Sequence, residues 1–303
     1  MKLKFTGMLV AFLAMTVFVS CGDDDDDGGL VPVEIRDEAM QAIDDDNALV
    51  AFLTTHAYNY EEFANTPAGF DFRVRIDTIQ DPNAGLIPLI NQVEEIQVQN
   101  EDVNYTLYVL KAVEGQGERP TFADSTLVNY RGTELDRMAF DAVSTPIWFD
   151  LPAVVAGFRE GLTEFRGGTG ATSNPDGSIT YENFGIGAVF MPSGLGYFNG
   201  TAGGAVSPYA PLVFSFQLID VVETDHDDDG ILSQFEDLDG DRRVSDADDD
   251  LDGDGVSAYL DADDDGDGIA TRDENADPNG DGNPDDALDS DGDGTPDYLD
   301  ADS

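Results

Sequence analysis

Residues 126–165 read TLVNYRGTELDRMAFDAVSTPIWFDLPAVVAGFREGLTEF, and a change of period inside this stretch decides the fold class. Its opening, Leu127-Val128-Asn129-Tyr130, follows a turn rich in Gly and Pro and reads as a strand. Further on, Pro152 suits the first turn of a helix, and Val155, Phe158, Leu162 and Phe165 recur at offsets of 3, 4 and 3, one face of a short helix. Upstream, Tyr105, Leu107 and Val109 alternate with Thr106, Tyr108 and Leu110. Downstream, Leu212, Phe214, Phe216 and Leu218 share one face of residues 211–222. Strands on both sides of one short helix predict an α+β domain, a curved antiparallel sheet wrapped around that helix.

Charge sets the next bound. The 303 residues carry 14 Lys+Arg against 64 Asp+Glu, a formal charge of −50, which excludes a nucleic-acid binder that relies on phosphate contacts. More than half of that charge falls in residues 225–303, with 31 acidic and 3 basic side chains, so the apolar core must lie upstream. One Cys excludes an intramolecular disulfide framework and any zinc site built on several thiolates. The two histidines, His56 and His226, lie far apart, and neither accompanies a nucleophile motif. Each reads as a surface or core residue.

The stretch 126–165 resembles the FKBP-type peptidyl-prolyl cis-trans isomerases in its VNYRGTEL, FD and GFREGL segments. MPSGLGYFNG and SPYAPLVFSFQLIDV carry the resemblance on, so that it covers roughly residues 103–222. Lipoproteins of Bacteroidetes with such domains, including a gliding-motility-associated type, are the nearest relatives by pattern. The resemblance implies a proline pocket walled by Tyr130, Phe140, Asp141, Phe149, Val154, Val155, Phe158, Tyr197 and Phe214. It places Val155 and Phe158 under the proline ring, has Tyr197 hydrogen-bond the substrate backbone, and makes Tyr130 and Asp141 the polar wall. No cofactor is implied for catalysis, and Asp141→Ala or Phe158→Ala should slow turnover without unfolding the domain. Three positions depart from the pattern: Ile147 for an aromatic, Phe158 for Trp, and Phe198 for Gly after the Tyr. A Gly-rich insertion at 166–188 reads as a hairpin or a flap near the pocket.

The N-terminus is an address. Lys2 and Lys4 precede an apolar stretch at 8–19, too short for a membrane span of about 20 residues. Phe18-Val19-Ser20-Cys21 resembles a bacterial lipobox, which implies lipidation at Cys21 and an outer-membrane anchor facing the periplasm or the cell surface. Asp23–Asp27 then form a self-repelling tether. Residues 1–21 are thus a lipoprotein signal peptide and 22–36 an acidic tether. A helical lead-in and linker spans 37–102, with Met40, Ile43, Leu49, Phe52 and Leu53 at near-helical spacing and Asp44–Asp46 able to begin a second helix. The α+β domain occupies 103–224, and the tail 225–303.

The tail repeats. Asp225, Asp227, Asp229 and Glu236 fit the acidic pattern of a Ca2+ loop, as do Asp263, Asp265, Asp267 and Glu274. Related units carry Asp237, Asp239 and Asp241; Asp250, Asp252, Asp254 and Asp261; Asp277, Asn279 and Asp281; and Asp289, Asp291, Asp293 and Asp300. Ca2+ takes six to eight oxygens, and alternate acids before a glycine turn can wrap one ion. Loops of 12 to 14 residues placed end to end leave no room for the helix pairs of EF-hands. The units instead resemble Cys-free thrombospondin type 3 repeats, with Arg242 replacing the turn glycine in the second. Without Ca2+, so few apolar side chains predict disorder.

Two classes of function remain open. One is a lipid-anchored prolyl isomerase acting on proline-containing exported or unfolded proteins. The other is a module of the same fold that holds clients without catalysis, or a calcium-stiffened spacer or adhesion element. The sequence leaves the oligomeric state open.

Overall fold

The computed structural model describes residues 35–80 and 85–302. The leader, Cys21 and nearly all of the acidic tether lie outside the described residues. Among the described residues, no helix is long and apolar enough to cross a membrane.

Helix α1 (Glu38–Thr55) starts at Asp37, whose carboxylate accepts the Met40 N–H at 2.9 Å. It runs unbroken through Asp44–Asp46, where the sequence suggests a second start. The acids sit in its middle because they have partners there. Asp45 is buried and accepts the Ser193 N–H and hydroxyl at 2.7 and 2.6 Å, while Asp46 accepts the Tyr108 hydroxyl at 2.7 Å. Leu49, Phe52 and Leu53 are buried, but Met40 and Ile43 are exposed, so only the C-terminal half of the predicted apolar face is covered.

Strand β1 (His56–Tyr58), helix α2 (Tyr60–Ala64) and strand β2 (Ile76–Thr78) follow, and β1 pairs antiparallel with β2. Next come β3 (Glu94–Asn100), β4 (Val103–Val113), β5 (Ser125–Glu134) and β6 (Ala139–Asp150). Helix α3 (Ala156–Leu162) leads to the hairpin β7 (Gly170–Ser173) and β8 (Ile179–Glu182), then β9 (Gly185–Met191) and β10 (Leu212–Val222). The main sheet has six strands in the order β3-β4-β9-β10-β5-β6, every neighbour antiparallel. The fold is therefore α+β with an antiparallel sheet around one short helix. Strand β3 belongs to this sheet, so the stretch 64–101, which the sequence reads as a linking strand and loops, supplies one of its edges.

The alternation along β4 resolves into two cores. Tyr105, Leu107 and Val109 face the side of the sheet that carries α3, together with Phe158, Leu162, Phe165, Phe214 and Phe216. Tyr108 and Leu110 face the other side, where Leu49, Phe52 and Leu53 of α1 cover them. Both faces are buried, which explains why the whole of β9 is buried and apolar or glycine. Helix α3 lies close on β9: a Cβ on Gly161 would stand 2.2 Å from Val189 Cγ1. The hairpin β7–β8 is rooted by the Gly168 N–H on Ile219 O at 2.9 Å, at the end of β10 away from Phe214.

The tail holds short 3-10 turns, Ser233–Phe235, Ala247–Asp249, Ala258–Leu260, Thr271–Asp273, Pro284–Asp286 and Asp297–Leu299, and no flanking helix pairs among the described residues. It folds back on itself rather than running out as a line. Ile231, Ala276 and Tyr298 from three separate loops share a small core, and the Leu232 N–H donates to Gly282 O at 2.9 Å.

Candidate functional site

Eight of the nine predicted pocket residues converge on the α3 side of the sheet, around a floor of Phe158 and Phe214. Those two rings stand 5.1 Å apart. Phe149 meets Phe158 edge-on at 6.1 Å, Phe140 meets Phe214 edge-on at 5.6 Å, and the Tyr130 ring lies 6.0 Å from Phe158. Val154, Val155 and Tyr197 complete the partly buried rim. Strands β5, β6 and β10 present one side, and the turn into α3 the other. Gly132 makes room: a Cβ there would fall 2.6 Å from Phe140 Cζ. The ninth residue, Asp141, is exposed on β6 and accepts the hydroxyl of Tyr130. Burial, the Asp141 hydrogen bond and its charge raise the Tyr130 phenol. Burial and the charge of Asp141 also raise Tyr197, so both hydroxyls stay protonated donors at neutral pH. The result is an aromatic cluster whose two central rings are buried, with one acidic and two phenolic groups at its edge.

The segment bearing Tyr197 is held from outside the predicted domain. Ser193, which Asp45 of α1 grips, accepts the Phe198 N–H at 2.8 Å through its carbonyl. Gln41 donates to the same Asp45 carboxylate at 2.6 Å. Burial nevertheless raises Asp45 above the usual carboxylate range. Phe198 has φ 46°, the left-handed region that favours glycine, so a Gly would suit this position better in backbone terms. Its ring packs edge-on against Tyr209 at 5.1 Å. Asp45 and Gln41 are invisible to motif reading because they lie about 150 residues from the loop they hold, as the 148-residue separation of Asp45 and Ser193 shows.

The histidines take structural places. His56 stacks on Phe52 at 3.9 Å. His226 lies between Ser233 Oγ at 2.8 Å and Asp150 Oδ1 at 3.0 Å, the residue types of a hydrolase triad. Ser233 is fully buried, so no substrate reaches its hydroxyl, and the trio is a joint between the tail and the end of β6.

In the tail the predicted loop register is visible in hydrogen bonds. Asp225 accepts the Asp228 and Gly230 N–H groups, Asp250 those of Gly253 and Gly255, Asp277 those of Gly280 and Gly282, and Asp289 those of Gly292 and Gly294. Asp237 does the same with Gly240 and Arg242, and Arg242 adopts φ 71° in the place of glycine. Among the described residues, the triads whose oxygens gather within 4.8 Å include Asp225, Asp227, Asp229; Asp237, Asp239, Asp241; Asp250, Asp252, Asp254; and Asp263, Asp265, Asp267. Asp261 lies in the field of Asp252 and Asp254, and Glu274 in that of Asp263, Asp265 and Asp267. Buried oxygens without a hydrogen-bond partner include Asp227 Oδ2, Asp241 Oδ1, Asp263 Oδ1, Asp265 Oδ2 and Glu274 Oε2. Burial, then the neighbouring carboxylates, pushes Glu274 up to about 7. Such a set of hard oxygens fits a hard divalent cation.

The tail also docks on the domain. Arg242 Nε donates to Glu160 Oε2 of α3 at 2.8 Å, and its guanidinium lies 4.8 Å over Phe122. Val244 shares a small core with Phe122 and Ala123.

Residues 226–285 match a family model described as BamM C-terminal. The chain is 30% identical over 110 residues to the peptidyl-prolyl cis-trans isomerase Mip of Coxiella burnetii, covering 35% of this chain and 41% of that protein. It is 35% identical over 111 residues to the FKBP-type peptidyl-prolyl cis-trans isomerase FkpA of Escherichia coli K12, covering 35% of this chain and 34% of that protein. The outer membrane protein MIP of Legionella longbeachae is 30% identical over 110 residues, covering 35% of this chain and 40% of that protein. The chain thus spans about two fifths or less of the curated relatives it matches. The crystal structure of FkpA from Escherichia coli aligns with TM-score 0.35 and 22% identity over 60% of this chain and 61% of that one. A prolyl isomerase structure from Pseudomonas syringae pv. tomato DC3000 aligns with TM-score 0.34 and 25% identity over 44% of this chain and 82% of that one. About a third of the chain is homologous to FKBP-type prolyl isomerases.

Proposed function

We propose that this chain is a peptidyl-prolyl cis-trans isomerase of FKBP type that acts on Xaa-Pro bonds of exported or unfolded proteins. The observation that carries the reading is the aromatic cluster of Phe158 and Phe214 with the Tyr130–Asp141 pair at its edge. An amide in water resists rotation by about 18–20 kcal/mol because resonance keeps it planar. In the twisted transition state that resonance is lost and the amide is less polar. A dry basin therefore disfavours the planar form relative to the twisted one, with no nucleophile and no cofactor. Phe158 and Val155 seat the proline ring, Tyr197 donates to the substrate backbone, and Asp141, fixed by Tyr130, orients the turning carbonyl.

Two further elements belong to the proposal. Lipidation of Cys21 holds the protein at the outer membrane, facing the periplasm or the surface. Ca2+ in the tail loops has a structural role, resembling thrombospondin type 3 repeats, and its support is the set of buried, unpartnered carboxylate oxygens. The test is cis-to-trans turnover of a proline-containing peptide by the purified chain, with millimolar Ca2+ and with chelator. Acceleration of an exchange that otherwise takes tens to hundreds of seconds supports the isomerase. A folded chain with no turnover in either condition overturns it in favour of a non-catalytic client-holding module.

A further inference from the structure

The tail carries an acid at the second position of only one loop. Asp264 stands where the other loops have His226, Leu238, Leu251, Pro278 and Ser290. The backbone at this position acts alike in several loops, for the N–H groups of His226, Asp264 and Ser290 donate to Ser233, Thr271 and Asp297 at 3.2, 3.2 and 2.7 Å. The Asp264 side chain plays a separate part. Its Oδ2 accepts the Thr271 hydroxyl at 3.0 Å, and its Oδ1 is buried without a partner.

That side chain meets the first loop. Oxygens of Asp229, Glu236 and Asp264 all lie within 4.8 Å of one another. The three residues are 2%, 2% and 3% exposed. Asp229 Oδ2 and both oxygens of Glu236 also lack a hydrogen-bond partner. Like charges this close and this buried repel one another strongly. Three buried carboxylates with four free oxygens are a poor resting arrangement by themselves and a good one around a cation. Ca2+ binds oxygens at about 2.3–2.6 Å, so ligands on opposite sides of one ion stand about 5 Å apart.

We propose that Asp264 completes a buried Ca2+ site begun by Asp225, Asp227, Asp229 and Glu236, so that one ion ties the first loop of the tail to the fourth. The inference rests on the calcium reading of the tail and adds to it a ligand that the loop pattern does not contain. Asp263, the adjacent residue, belongs to the fourth loop's own triad with Asp265 and Asp267. Consecutive residues therefore serve two ions, and filling one site fixes the backbone of the other. Ca2+ binding at the first and fourth loops is cooperative, and the tail orders as a folded-back body rather than loop by loop.

The experiment compares the full chain with its Asp264→Asn variant by calorimetric Ca2+ titration and by thermal unfolding in Ca2+ and in chelator. The variant is expected to lose one tight ion, with affinity there lowered about tenfold or more, and to lose cooperativity. In Ca2+ it should melt below the unsubstituted chain. In chelator it should melt no lower, because one of three mutually repelling charges has gone. A purely structural role for Asp264 predicts a loss in both conditions, and that result overturns the site. Unchanged stoichiometry and affinity in the variant also overturn it. If the unsubstituted chain binds no Ca2+, the calcium reading itself falls, and the Asp264 site with it. Should the Asn variant not fold, Asp264→Glu keeps the charge but adds a methylene in a closed site. It should weaken the coupled ions of the first and fourth loops and spare the other loops, and binding identical to the unsubstituted chain overturns the proposal.

Discussion

At the scale of single residues, the edge of the proposed pocket depends on one hydrogen bond. Tyr130 donates to Asp141, and Asp141 is otherwise exposed on β6. A hydrogen bond to a charged group contributes about 1.5–3 kcal/mol, so Asp141→Ala should lower kcat/KM for a proline peptide roughly 10- to 100-fold. Tyr130→Phe should do much the same, and the double variant should be little worse than either single one, because the two act as a unit. Peptide turnover of the three variants checks this, and additive losses would separate the roles. Phe158 is a different case. It is 3% exposed at the centre of the core, so Phe158→Ala costs about 3–5 kcal/mol in cavity and transfer terms. The expectation that this variant slows turnover without unfolding the domain therefore does not suit the structure, and Asp141 is the cleaner probe.

At the scale of elements, α1 is part of the site's scaffold. Its Asp45 holds Ser193, and Ser193 holds the loop with Tyr197. Asp45→Ala should cost about 1–3 kcal/mol and raise KM through a looser Tyr197. The group also has a pH signature. Burial raises its folded pKa above the unfolded value, so its contribution is fully present below the unfolded carboxylate range and is lost as pH rises through the raised value. Denaturant unfolding in saturating Ca2+ should therefore show a stability loss from about pH 4 upward that is shallower in Asp45→Asn. An identical slope in the variant would assign the pH dependence to other carboxylates.

At the scale of the whole molecule, the tail and the domain brace each other. Arg242 accepts a left-handed backbone where the other loops use glycine, and gains Glu160 of α3 and the face of Phe122. Glu160 is buried and also takes Arg159 at 3.2 Å, so losing Arg242 leaves it under-compensated. Arg242→Gly should relax the loop yet cost about 1–2 kcal/mol of overall stability, the Arg242 side chain being half exposed. Limited proteolysis should then release the tail sooner at equal Ca2+. Unchanged protection would mean that His226 and Val244 hold the junction alone.

Much of this was legible in the chain. The alternation in β4 and β10 and the helical spacing from Val155 pointed to the α+β class and to which rings share the α3 side of the sheet, because local period and burial are linked by geometry. The acidic register also survived in detail, since a carboxylate two or five residues from an N–H finds it by local chain geometry. What the sequence determined by itself was therefore local: which segments are strands, which rings share a face, which acids form a loop. Tertiary structure decided that α1 covers the sheet, that Asp45 grips Ser193, that Arg242 docks on Glu160, and that Asp264 reaches the first loop. Each joins residues far apart in the chain, and partners brought together only by chain closure leave no period in the sequence to read.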